Sequence, residues 1–154
     1  MVLNLPEGPA YGLWEVDRGT MPEREFRRKL KGYQQYYFSG GFLKKYGEPG
    51  RTIEDYPFRV FTVVPDVMRR NSLVQQARLI GSNKMCWFAV LDDFLADPLG
   101  KVWVRGLEYR DLVMKLPENM RKALEERETG RPGELVRKAW AEINSRMERH
   151  SILE

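Results

Sequence analysis

The sequence predicts an α/β fold: a small, mostly parallel sheet with flanking helices, extended by helices at the C-terminus. Three observations predict it. Runs of β-branched and aromatic residues at 11–17, 58–64 and 85–91 have the length of strands. Two stretches of helical period separate them. Strand, helix, strand, helix, strand is the rhythm of parallel pairing through right-handed crossovers.

A chain of 154 residues, 42% hydrophobic and 12% aromatic, is long and apolar enough for one globular domain with a core. No apolar run approaches the ~20 residues of a membrane span. Residues 1–10 hold Pro6, Glu7 and Pro9 and do not look like a signal peptide. The expectation is a cytoplasmic protein with no membrane partner. A lone Cys86 argues against a disulfide framework or a cysteine-rich zinc site, and reads as a buried structural thiol. The single His150 argues against histidine metal sites and a Ser-His-Asp triad. There is no P-loop, dinucleotide fingerprint or zinc finger.

In chain order, residues 1–10 read as a flexible lead-in. The first strand ends in Trp14-Glu15-Val16-Asp17. Alternation puts Glu15 and Asp17 on one face, with Trp14 and Val16 on the other, toward a core. Thr20, with Glu23 three residues on and Pro22 between, predicts a capped helix start. The helix runs to Phe38, with Phe26, Leu30, Tyr33 and Tyr37 on one apolar stripe and the bases mostly off it. Ser39-Gly40-Gly41 stops it, and residues 42–46 add a turn. After a polar loop, residues 58–64 form a buried central strand. Asp66 caps the next helix, which runs from Val67 to Ile80 with Arg69, Arg70 and Arg78 outward. Residues 85–91 form the third strand, and residues 102–104 offer a further one. Asp92, Asp93 and Asp97 lack calcium-loop spacing and read as caps. Residues 107–112 read as a linker or edge segment. Helices are expected at 118–128 and 134–149, the latter with Leu135, Ala139, Trp140, Ile143 and Met147 on one stripe. The expected division is lead-in 1–10, α/β domain 11–104 and helical appendage 105–154, the last available to pack on the open side of the sheet or to pair with another chain as a homodimer.

Charge is unevenly placed. Residues 20–47 carry a balance of +5, residues 1–19 of −2 and the remainder of +1. Clustered positive charge is the footprint of a phosphate binder, and equally of a solvated helix face. Candidate DNA contacts are Arg18, Arg24, Arg27, Arg28, Lys29, Lys31, Lys44 and Lys45. Glu15 and Asp17 are candidate metal ligands, for Mg²⁺ if the protein is a nuclease, or are neutralised by Arg18 or Lys29. Lys29 and Tyr33, four apart, are neighbours on the helix. Lys29 either joins Glu15 and Asp17 in catalysis or balances Glu25, with Tyr33 packed in the core.

The run EVDRGT followed by RRKLKGYQQYY, then FRVFTVVPDVMRRNSL, then WFAVLDDFLADPLGKVW resembles the plasmid replication-relaxation family over residues 11 to 104. That resemblance implies a restriction-endonuclease-like core with a PD…(D/E)xK metal site, preceded in the family by a winged helix. Here E-x-D stands where E-x-K would be, and neither the winged helix nor a strand bringing the PD aspartate is expected in these residues. The resemblance implies a DNA-associated module in plasmid or mobile-element replication or maintenance that no longer cuts. The alternatives are a Mg²⁺-dependent nuclease or nickase using Glu15, Asp17 and Lys29, with the lysine supplied from the helix, and a protein-interaction or dimerisation domain.

Overall fold

A computed structural model describes residues 1–5, 8–127 and 131–153. Its centre is three parallel strands, β2 (Gly8–Val16), β3 (Phe58–Val64) and β4 (Cys86–Val90). Short antiparallel strands close both edges: β1 (Val2–Leu5) on β2, and β5 (Val104–Arg105) on β4. Among the described residues the sheet order is β1-β2-β3-β4-β5. The α/β class with a mainly parallel sheet is therefore as expected, and residues near 102–104 do supply an extra strand.

The crossovers are α1 (Glu23–Phe38), which joins β2 to β3 with the short α2 (Gly41–Tyr46), and α3 (Val67–Leu79), which joins β3 to β4. Successive right-handed crossovers stepping the same way put their helices on the same face. That face carries the main core, including Phe58, Val60 and Val64 of β3, Phe88 of β4, Phe26 and Leu30 of α1, and Leu73 of α3. The other face holds a smaller cluster of Phe61, Val63, Trp87, Ala89, Trp103 and Ile152. Alternation along β3 divides the two, because neighbouring side chains point to opposite faces.

After α4 (Leu91–Ala96) and β5 come α5 (Gly106–Met114), α6 (Glu118–Glu126) and α7 (Glu134–Arg146). Tyr109 and Val113 of α5, Leu124 of α6, and Val136, Ala139, Trp140 and Ile143 of α7 belong to the same main core as α1 and α3. Residues 105–154 are thus not a separate layer but help to cover the sheet's helical face. Of the two roles open to the α7 stripe, covering the sheet or pairing with another chain, the structure shows the first: Ala139, Trp140 and Ile143 are buried, and Met147 packs partly buried against the core. The C-terminal segment returns to the sheet, where His150 and Trp103 exchange backbone hydrogen bonds of 2.8 and 3.1 Å.

Several expectations are corrected. Residues 1–10 are not a flexible lead-in throughout: Val2–Leu5 form a strand, and β2 begins at Gly8; Pro6 and Glu7 lie outside the described residues. A strand thus does precede the EVD segment, but VLNL contains no acid to play the PD aspartate. Helix α1 starts at Glu23 rather than after a Thr20 cap, with Pro22 as the N-cap and no side-chain capping bond. Residues 107–112 are helical, within α5. Val16 is 67% exposed, because it lies at the end of its strand beyond the reach of the second core. Arg70 points inward and is 3% exposed: α3 lies between α1 and the tail helices, so its polar positions Asn71, Ser72, Gln75 and Gln76 are buried as well, Ser72 and Gln76 against Glu23 and Arg27 of α1.

Candidate nucleic-acid interface

Strand β2 places Glu15 on the helical face of the sheet, below α1, which brings Lys29 and Tyr33 over it. Both donate to Glu15: Lys29 Nζ to Oε2 and Tyr33 Oη to Oε1. Lys29 therefore balances Glu15 rather than Glu25. Asp17, 5% exposed, accepts from Arg69 of α3, with Nε at 2.5 Å from one oxygen and Nη2 at 3.1 Å from the other. The same guanidinium donates to the Met21 carbonyl at 2.6 Å, which fixes the turn between β2 and α1. Gly19, at φ 82°, makes that turn possible, since a side chain is strained there.

The predicted trio is therefore brought together only in part. Glu15 and Lys29 meet, while Asp17 is held by an arginine 52 residues away. All four carboxylate oxygens of Glu15 and Asp17 have a protein donor. A divalent cation binds through such oxygens, and here it would have to displace a lysine, a tyrosine and an arginine fork. The donor set does not fit a metal. Among the described residues, Glu108, Glu148 and His150 bring ligand atoms within 4.8 Å of one another. Glu108 is already engaged there by His150 Nε2 at 2.7 Å and the Glu148 amide at 3.0 Å, so this cluster fastens the tail to α5.

Four of the five bases of α1 share one side of the helix, and Lys29 lies off it toward Glu15. At 3.6 residues per turn, Arg24, Arg27, Arg28 and Lys31 fall within an arc of roughly 100°, opposite the buried Phe26 and Leu30. Arg24, Arg28 and Lys31 are exposed and have no carboxylate partner among the described residues. Arg27 is partly buried and donates to Gln76 of α3. Glu23 sits off this arc and receives Arg127 at 2.9 Å, so it does not neutralise the arc. Arg18 stands apart, exposed at the end of β2. Lys44 and Lys45 are exposed on α2.

Beside this arc lies a cleft of about 640 Å³ between the β1–β2 edge and α1–α2, within the size range of small-molecule sites. Tyr11, Tyr33, Tyr36, Phe42, Tyr46 and Phe58 line it, with Lys29 and Lys45 as its charged groups. Lys45 Nζ lies 5.3 Å from the Tyr46 ring centre. Gly32 of α1 opens its mouth, with no atom within 4 Å of a Cβ placed there. Sequence reasoning missed the cleft. Its one legible sign was a glycine inside an otherwise regular helical pattern. Arg69 had no local sign at all, because its partner is remote in sequence.

The fold and these features define an α/β protein whose crossover helix carries an exposed cationic arc beside an aromatic cleft. Comparison with protein-family models, with curated proteins and with solved structures finds no match to the chain. Among the described residues no helix is long and apolar enough to cross a membrane.

Proposed function

We propose that the chain is a DNA-associated module of the replication-relaxation type, acting in the replication or maintenance of a plasmid or other mobile element by binding rather than cutting. The observation that carries it is the grouping of Arg24, Arg28 and Lys31 on one exposed arc of α1, without acidic partners among the described residues. Unneutralised bases on a rigid element suit phosphate contacts, which supply affinity without reading sequence. The type of process comes from the resemblance of the three motif blocks, which lie on β2–α1, β3–α3 and β4–α4 of this chain. On this reading the core is restriction-endonuclease-like with a lapsed metal site: β1 has no acid, and Asp17 is committed to Arg69.

The test is duplex DNA binding by the wild type and by Arg24→Glu/Arg28→Glu/Lys31→Glu, at low salt, with plasmid nicking assayed in Mg²⁺ or Mn²⁺. Binding lost in the triple variant, with no nicking by the wild type, is expected. Metal-dependent nicking abolished by Glu15→Gln would instead establish the nuclease reading. Wild-type and variant proteins that both fail to bind DNA would favour an interaction domain.

A further inference from the structure

Gly32 is hard to explain by the fold alone. A glycine inside a helix costs roughly 0.5–1 kcal/mol relative to alanine. Its φ is not in the left-handed region, and a Cβ there would meet nothing within 4 Å, so neither backbone nor packing asks for it. What it does is leave the mouth of the cleft open, on the turn of α1 between Arg28 and Tyr36.

Inside, the chemistry is specific. Tyr11, Tyr36 and Tyr46 keep part of their rings exposed, and their hydroxyls have no hydrogen-bond partner among the described residues. Lys45 lines the cleft with no carboxylate partner among the described residues; Lys29 lines it too, already paired with Glu15. A planar aromatic ligand with polar edges and an attached anion matches such a lining: rings to stack on, hydroxyls for the edge and the Lys45 ammonium for the charge. A nucleotide has that composition, and the cationic arc outside the mouth would take the neighbouring phosphates. A paired base could not enter, because its edge and faces are occupied in the duplex.

We propose that, given DNA binding by α1 as above, the cleft seats an unpaired base of single-stranded DNA, so that the protein prefers single strands to duplex. Phosphates on either side of the seated base lie against Lys45 and against Arg28 and Lys31. Stacking of a base on an aromatic ring commonly contributes enough to change affinity by roughly 5- to 100-fold.

The test compares a fluorescent single-stranded oligonucleotide with its duplex, by anisotropy, for the wild type, Gly32→Leu, Tyr46→Ala and Gly32→Ala. Leucine at 32 would project into the open mouth without striking the fold, and Tyr46 is 44% exposed, so both variants should fold. The expected result is single-strand affinity at least about 10-fold above duplex affinity. Gly32→Leu and Tyr46→Ala should erase that difference and leave duplex binding as it was, while Gly32→Ala changes it less. Equal affinity for both forms, or a preference untouched by Gly32→Leu and Tyr46→Ala, would overturn the cleft proposal while leaving the helix reading intact. Absence of binding to either form would overturn both.

Discussion

Asp17 shows how a residue can look like a ligand and serve as an anchor. Its carboxylate is nearly buried and takes both prongs of the Arg69 guanidinium. Removing one charge from such a pair strands the other, which typically costs about 3–5 kcal/mol. Asp17→Asn should therefore lower stability by about 3 kcal/mol, measured by urea unfolding, whereas a dispensable metal ligand would leave it unchanged. Other residues set a pH response. Burial pushes the Cys86 thiol and the Tyr109 hydroxyl well above their ordinary values of 9.0 and 10.0. Burial, and then Glu54, raises Tyr37 as well. Each stays neutral in the fold but ionises in the unfolded chain once pH passes its ordinary value. Their contribution is intact below about pH 9 and is lost as pH rises beyond it. Arg70 runs the other way: burial, and then Arg149, lower it to about 10, against the pull of Asp93. Melting temperature should fall between pH 8.5 and about 10.5, and Tyr109→Phe should flatten the decline; an unchanged slope would count against this cause.

At the scale of elements, α1 does two jobs on two faces. Its apolar face, with Phe26 and Leu30, was legible from the spacing of large residues, and so was the off-stripe position of its bases. Strands β3 and β4 were legible as near-continuous apolar runs, because both of their faces are covered. The helix α5 was not, because it is short and the charged Glu108, Arg110 and Asp111 flank its buried Tyr109. Inward Arg70 could not be read from its own helix: what buries it is α7, through Asn144, whose Oδ1 accepts from Arg70 Nη2 at 3.0 Å. The Thr20 cap failed because Arg69 holds the Met21 carbonyl and Glu23 is drawn to Arg127 and Ser72. Gly32→Ala should raise the stability of the protein by about 0.5–1 kcal/mol, since it strengthens α1 and meets no neighbour. A thermal-shift assay that finds destabilisation would mean the glycine has a structural role after all.

Across the whole molecule, the division at residue 104 suggested by the resemblance does not coincide with a division of the core. Trp140 is 2% exposed; its indole N–H donates to the Tyr109 hydroxyl at 2.9 Å, which in turn donates to Gln75 of α3 at 3.0 Å. Such a buried relay ties three helices into one unit. Trp140→Ala should cost about 3–5 kcal/mol, and a chain ending at residue 104 should lack a cooperative melt by calorimetry. A sharp transition in that truncation would show that residues 105–154 are an appendage. The same cover leaves the arc of α1 and the cleft beside it facing solvent.

The most direct measurement of the central claim is the salt dependence of duplex DNA affinity. Three phosphate contacts from Arg24, Arg28 and Lys31 should release counterions with a log–log slope near −3, a loss of roughly 40-fold in affinity between 50 and 200 mM salt. Reversing those three charges should abolish the slope along with the binding. Affinity that is indifferent to salt, or a slope that survives the triple reversal, would contradict an interface built on α1.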